Sequence, residues 1–228
     1  MTQPSPLGPS AGLNVIHLFC HTGLAVDRAA VHAAVNRARD AGVQVVTVSI
    51  MGAKADVCFL ALSKNLWDLR TLQTGLQGAG LIVSESYVSV TEVSEYAAGM
   101  PEAMLNARLY PELPPVGMNS FCFYPMSKRR GEEHNWFSLP YEERESLMRQ
   151  HGASGREFKG RILQLVTGST GLDDWEWGVT LFGVHVDDLK DCVYTMRFDE
   201  ASTLYGEFGA FYTGMVGSLD DVLDASVA

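Results

Sequence analysis

The chain has 228 residues, 46% of them hydrophobic, and a formal net charge of −10 at pH 7. That suits one large domain or two small ones with real cores. It excludes a nucleic-acid surface, whose phosphates demand a basic face, and no apolar stretch approaches the roughly 18 residues of a membrane span.

Residues 1–12 are rich in Pro, Ser and Gly and are expected to form a loose tail. Residues 14–20 read as a strand. Residues 27–41 predict a helix with Val31, Val35 and Ala38 on one face, ended by Gly42. Residues 43–51, mostly β-branched, and the wholly apolar 57–62 predict strands. Ser63 is expected to cap a helix that turns Leu66, Leu69, Leu72 and Leu76 inward. Residues 81–92 predict a strand with Val83, Glu85, Tyr87 and Ser89 on one face. A connection follows over 93–118. It holds a short helix near 102–108 and is broken by Pro111, Pro114, Pro115 and Gly117.

The order then repeats. Residues 119–124 predict a strand, which Pro125 is expected to end because it has no N–H to donate. Residues 126–139 read as a long loop carrying Lys128, Arg129 and Arg130, and loops of that length in compact domains are often functional. Pro140 opens a helix that runs to about His151, before Gly152. Strands are expected over 161–169 and 175–184, a helix over 186–196 with Leu189, Val193 and Met196 inward, and a last strand over 208–216. Each half has the strand–helix–strand–strand–helix–strand order of a ferredoxin-like unit. The expectation is an α+β fold of two ferredoxin-like halves, 13–118 and 119–228, whose sheets join into one barrel.

The four cysteines, Cys20, Cys58, Cys122 and Cys192, form no Cys-x-x-Cys pair and read as reduced core residues of a cytoplasmic protein. No cationic segment leads into an apolar run at the N-terminus, so no secretory signal is expected. Tyr124, at a strand end beside three cations, suits a bulky apolar ligand with acidic edge groups. A solvated basic loop is the plainer alternative. His151 shares a helix face with Leu147 and Met148, as either a core histidine or a metal or haem ligand. No two histidines on a predicted helix have the His-x-x-x-His spacing of a zinc site. Gln164 alternates with Ile162 and Val166 on an apolar face. A buried amide there needs partners, at a cost of roughly 1–3 kcal/mol if it lacks them. It either bonds neighbouring backbone or faces a ligand. Arg108, Arg197 and Ser202 are further candidates. A helix dipole explains Arg197 and a helical turn explains Ser202 equally well.

Several motifs together carry a resemblance. They are Tyr124-Pro-Met-Ser-Lys-Arg-Arg, Asn135-Trp-Phe, Met148-Arg-Gln-His151-Gly, Thr167-Gly-Ser-Thr-Gly-Leu-Asp-Asp-Trp-Glu-Trp-Gly-Val-Thr-Leu-Phe182 and Met196-Arg-Phe-Asp-Glu-Ala-Ser202. The chain resembles the chlorite dismutase-like superfamily, and more closely its bacillus-type coproheme decarboxylases, oxidoreductases of haem biosynthesis. The match is dense over residues 119–216. Over 14–118 its clearest pieces are Ser86-Tyr-Val-Ser-Val90 and Arg108-Leu-Tyr-Pro-Glu-Leu113.

The resemblance implies a dimeric α+β barrel, a homopentamer, and hydrogen peroxide-dependent oxidative decarboxylation of iron coproporphyrin III (coproheme). Two propionates become vinyls, giving haem b, and a ferrochelatase supplies the substrate through transient contact. By position, His151 matches the proximal iron ligand. Tyr124 matches the tyrosine that becomes a radical and takes hydrogen from a propionate, and Lys128 the lysine paired with that propionate. Pro125, Met126 and Ser127 lie in the same substrate-contacting segment. Arg108, Gln164 and Ser202 match substrate-binding positions, and Tyr87 another propionate contact. Actinobacterial relatives carry a distal histidine and chlorite dismutases a distal arginine; this chain offers Gln164 on that side. A chlorite dismutase or haem peroxidase of the same fold, and a non-enzymatic haem-binding protein, stand as alternatives. Gln164 counts against the first, and Tyr124 with Lys128 against the last.

Overall fold

In a computed structural model, which describes residues 5–23, 25–97 and 99–227, the first half runs β1 (Asn14–Thr22), α1 (Arg28–Asp40), β2 (Gln44–Met51), β3 (Val57–Ser63), α2 (Leu66–Gly78), β4 (Leu81–Thr91) and α3 (Glu102–Leu109). The second half runs β5 (Ser120–Lys128), a single 3-10 turn (Trp136–Ser138), α4 (Tyr141–Arg156), β6 (Ile162–Gly168), β7 (Trp177–Gly183), α5 (Val186–Met196), α6 (Glu200–Thr203), β8 (Gly206–Phe208), β9 (Tyr212–Gly217) and α7 (Leu219–Ser226).

The two halves have one topology. In space the first runs β4-β1-β3-β2 and the second β9-β5-β7-β6, the same 4-1-3-2 order of strands. Every pairing between these strands is antiparallel. The second strand of each half pairs with the fourth of the other, β2 with β9 and β6 with β4, so the sheets close into a ring. Closure pairs most of the strand edges that would otherwise invite aggregation, and β8 lies outside the ring on β5. The two seams are unequal. β2 and β9 pair over Thr47–Met51, whereas β4 and β6 pair only at Val90↔Gly168 and Thr91↔Thr167. Residues 162–166 of β6 therefore have no β4 partner.

Register decides which side chains share a face, because successive side chains alternate. Val15 and Phe19 of β1, Cys58, Leu60 and Leu62 of β3, Phe121 and Phe123 of β5, and Phe182 fill the barrel interior. The alternate residues Ile16, Leu18, Phe59 and Ala61 face outward and are covered by Val31 and Val35 of α1 and Leu69, Leu72 and Leu76 of α2. Both faces of β1 and β3 are dry, so these strands read as unbroken apolar runs.

Several sequence expectations need correction. Pro125 does not end its strand: β5 continues to Lys128, with Pro125 opposite Gly178. The Pro125 carbonyl accepts from Gly209 N at 2.8 Å, so its ring nitrogen faces the break between β8 and β9, where no donor is required. The expected loop over 126–139 thus begins as strand. Asn65, not Ser63, caps α2, accepting from Trp67 N at 3.3 Å, while Ser63 closes β3 and donates to Asp68. α4 runs through Gly152 to Arg156, which places His151 inside the helix rather than in its last turn. The last strand is two strands. α7, not expected, is capped by Ser218 and buries Leu219, Val222 and Leu223 on the α1 side of the sheet. Residues 1–4 of the expected tail lie outside the described residues. Leu7 is tied to the start of α2 by bonds to Asn65 and Leu66.

Candidate functional site

A cavity of about 1420 Å³ lies between the outer face of the second half's sheet and helices α3 and α4. Ordinary small-molecule pockets run to roughly 1,000 Å³, so this one suits a large ligand. Register builds its floor: Tyr124 sits opposite Val179, Val179 opposite Val166, and Met126 opposite Trp177. All five line the cavity, as does Gln164, two residues along β6 from Val166.

The segment 124–128 divides by strand alternation. Tyr124, Met126 and Lys128 line the cavity, while Pro125 and Ser127 do not. Ser127 Oγ instead accepts from Glu176 N at 3.2 Å. Tyr124 is buried, its ring stacked on Phe211 at 4.5 Å between centroids and tilted against Phe208 at 5.9 Å. Burial pushes its phenol further up from an ordinary value already well above neutral.

Lys128 is a buried strand residue and not a loop cation. Its Nζ donates to the Ala201 carbonyl at 2.8 Å and lies 4.3 Å from the Trp136 ring centroid. Burial lowers its amine to about 8, against the raising charges of Asp199 and Glu176. The expected cationic cluster is otherwise occupied. Arg129 approaches Glu207 at 3.6 Å and Arg130 pairs with buried Glu176. Of the three cations only Lys128 lines the cavity.

His151 enters from α4. Its Nδ1 meets Asp199 Oδ2 at 2.9 Å, and Asp199 is 3% exposed. Asp199 is also the N-cap of α6 and accepts from Ser202 N at 2.9 Å. Burial pushes the Asp199 carboxyl up, but the bonds from His151 and Ser202 outweigh it and hold the group below the usual carboxylate range. An ionised Asp199 fixes the Nδ1–H tautomer and leaves the Nε2 lone pair for a ligand, the arrangement metal-binding histidines use. The residues present therefore fit an iron porphyrin: one oriented imidazole, a wide cavity, and cationic groups around it. Arg108 of α3, Ser202 of α6 and Arg197 line the same cavity, Arg108 exposed and Arg197 lying 4.0 Å over Phe208.

Two expected site residues are placed differently. Tyr87 is not on the cavity. It is 3% exposed in the barrel interior, edge-on to Phe123 at 5.2 Å, with its hydroxyl bonded to Ser169. Gly178 makes its room: a Cβ there would lie 2.6 Å from the Tyr87 ring. Gln164 is exposed and not buried, because with Val166 it borders the open cavity, whereas Ile162 on the same face packs against the core. Sequence reasoning singled out neither Asp199 nor the cavity residues Tyr96 and Arg144. Asp199 followed by Ser202 N–H has N-cap spacing, but nothing linear ties it to His151, 48 residues away.

A protein-family model described as chlorite dismutase matches residues 26–217. A heme-binding protein from Thermus thermophilus is similar over 99% of this chain and 98% of its own, with a TM-score of 0.85 and 34% identity. A double mutant of chlorite dismutase from Candidatus Nitrospira defluvii matches with a TM-score of 0.78 and 19% identity, over 96% of this chain and 98% of its own. The imidazole complex of that organism's chlorite dismutase matches with a TM-score of 0.75 and 18% identity, over 95% of each chain. At those lower identities the likeness is one of fold.

Proposed function

The chain belongs to the chlorite dismutase family, and from that premise we propose that it is a coproheme decarboxylase. It takes iron coproporphyrin III into the cavity through His151 and, with hydrogen peroxide, turns two propionates into vinyls to give haem b. For each, the propionate carboxylate, one peroxide and one proton give one vinyl group, one carbon dioxide and two waters. The bound iron porphyrin supplies the peroxide chemistry.

The observation that carries this reading is Tyr124, a buried phenol on the cavity floor, two residues along the same strand face from Met126 and four from Lys128. A site that only binds has no use for a redox-capable phenol. Protonated at neutral pH, as burial ensures all the more, Tyr124 would give up its hydrogen, as a proton together with an electron, to the oxidising power supplied by peroxide, and could then take a hydrogen from a nearby propionate carbon. Lys128, mostly charged at pH 7 with its amine near 8, turns from the Ala201 carbonyl to hold that propionate. Asp199 keeps His151 in one orientation. Gln164 presents a neutral amide on the floor, and its strand position offers no guanidinium to hold a leaving hypochlorite.

A ferrochelatase is the expected donor of substrate. The free, buried cysteines Cys20, Cys58, Cys122 and Cys192 fit a reducing, cytoplasmic setting. No helix among the described residues is long and apolar enough to cross a membrane.

The test adds iron coproporphyrin III and then peroxide to the purified apoprotein and follows product masses. The monovinyl tripropionate and then haem b are expected. Binding without any change of mass would favour a haem-binding protein, as the Thermus relative is described. Oxygen release from chlorite would favour a chlorite dismutase.

A further inference from the structure

On the cavity wall beyond Lys128, two buried donors have no partner at good hydrogen-bond geometry among the described residues, the hydroxyl of Tyr96 and Nε of Arg144; the phenol is met only loosely by the side chains of Glu95 and Arg144. Both belong to residues that line the cavity. A continuous set of contacts links them to Lys128. The amine lies over Trp136 at 4.3 Å, Trp136 meets Tyr96 edge-on at 6.5 Å, and Tyr96 stacks on Tyr141 at 5.7 Å. Arg144 in turn lies 5.9 Å from the Tyr141 ring centroid.

Arg144 has one acidic neighbour, Glu95, at a loose 3.7 Å. Glu95 is itself more than half exposed, whereas the Arg144 side chain is 19% exposed. A guanidinium offers five donors in a rigid fork matched to a carboxylate, so one distant, solvated partner leaves most of them unused. Buried donors without partners are rare in folded proteins and call for an explanation. Two of them side by side on the wall of a ligand cavity mark a place where the ligand brings the acceptor.

We propose that Tyr96 and Arg144 form a carboxylate-binding subsite of the cavity, separate from Lys128, that holds a second propionate of the bound tetrapyrrole. The proposal rests on the tetrapyrrole reading above. A ligand carboxylate there accepts from the phenol and the guanidinium together, and displaces Glu95 toward solvent. The subsite favours tetrapyrroles carrying carboxylates on more than one side over those with fewer.

The test is a spectroscopic titration of the full-length apoprotein with iron coproporphyrin III and, separately, with its tetramethyl ester. Hydrogen bonds to charged groups contribute more than neutral ones. Arg144→Gln should therefore weaken binding of the tetra-acid about tenfold and Tyr96→Phe about threefold, with binding of the ester unchanged by either. Glu95→Gln, which removes the competing acid, should tighten the tetra-acid, a gain that misfolding would not produce. Equal affinity of wild type, Arg144→Gln and Tyr96→Phe for the tetra-acid would overturn the subsite while leaving the tetrapyrrole reading intact. Equal weakening for acid and ester would also overturn it, as a packing effect. A wild type that binds neither compound would overturn both.

Discussion

Asp199 accepts a hydrogen bond from His151 Nδ1 at 2.9 Å and is the more buried of the two, its side chain 2% exposed against 27% for the imidazole. The acid is anchored from behind by its cap on α6, so it orients the ring and is not itself oriented by it.

Replacing that anchor should therefore be felt at the iron. Groups that orient a metal-binding histidine typically cost 10–100-fold in affinity when removed. Asp199→Asn should weaken iron coproporphyrin III binding by about tenfold or more and shift the Soret band, while His151→Ala should weaken it further. A second readout is acid stability. The Asp199 carboxyl is lowered from 3.8 in the fold, so its contribution is complete above 3.8 and is lost as pH falls through the lower, folded value. Asp199→Asn should flatten that part of the acid-unfolding curve. A Soret spectrum and acid limb identical to wild type would remove Asp199 from the site.

At neutral pH Lys128 acts the other way from Asp199, its buried charge opposing folding, although stability again rises with pH through its window. Its amine falls from 10.5 to about 8 on folding because burial disfavours the charge. Below 8 it is charged in both states and its burial opposes folding. Between 8 and 10.5 the unfolded chain holds the proton and the folded chain releases it, so stability rises with pH in that window. Lys128→Met should keep or raise the unfolding temperature at pH 7 and abolish this rise. Binding should move the other way. Wild-type affinity for iron coproporphyrin III should fall above about pH 8 as the ammonium is lost, and Lys128→Met should bind more weakly with that pH dependence gone. A wild-type affinity flat between pH 7 and 9 would show that Lys128 holds no carboxylate.

The element order of both halves was legible because strand and helix signals are local: β-branched runs, Gly42 after a helix, Pro140 before one. Barrel closure was legible only as a consequence of two like sheets, and the weak β4–β6 seam, whose unpaired β6 residues border the cavity, was not, since pairing register is a long-range property. Pro125 misled because the rule against proline in a strand concerns the ladder on its donor side, and here that side faces the break between β8 and β9. Gln164 misled because periodicity separates two faces of a strand without saying which is dry. At Tyr124 the motif pointed to the right segment, but alternation then removes Pro125 and Ser127 from the cavity wall. Lys128 reads as a loop cation in the sequence because the predicted strand stops at Tyr124, four residues early.

Gln164 stands exposed on the floor of the cavity, so its removal leaves no buried group unsatisfied. Gln164→Ala should change stability by no more than about 0.5 kcal/mol, as surface substitutions do. If the amide assists peroxide without being the oxidant, turnover should slow several-fold and product should still form. Thermal unfolding and single-turnover product masses separate the two effects. An unfolding midpoint shifted by many degrees would place the amide in a structural network instead.

Tyr124 carries the sharpest expectation. A propionate carbon–hydrogen bond is unreactive, so oxidising power must reach a group close to that carbon, and a phenol can relay a hydrogen atom where a phenyl ring cannot. Tyr124→Phe keeps the ring and with it the stacking on Phe211 and the contact with Phe208. Loss of the hydroxyl alone should cost no more than about 1 kcal/mol. The variant should fold, and should bind iron coproporphyrin III through His151 with near wild-type affinity and an unshifted Soret band. On addition of peroxide it should yield neither the monovinyl tripropionate nor haem b. Lys128→Met separates positioning from chemistry: the phenol is still present but the propionate is poorly held, so product should form slowly. Masses showing haem b formed by Tyr124→Phe at the wild-type rate would remove the phenol from the reaction and leave the cavity as a haem-binding or general peroxidase site.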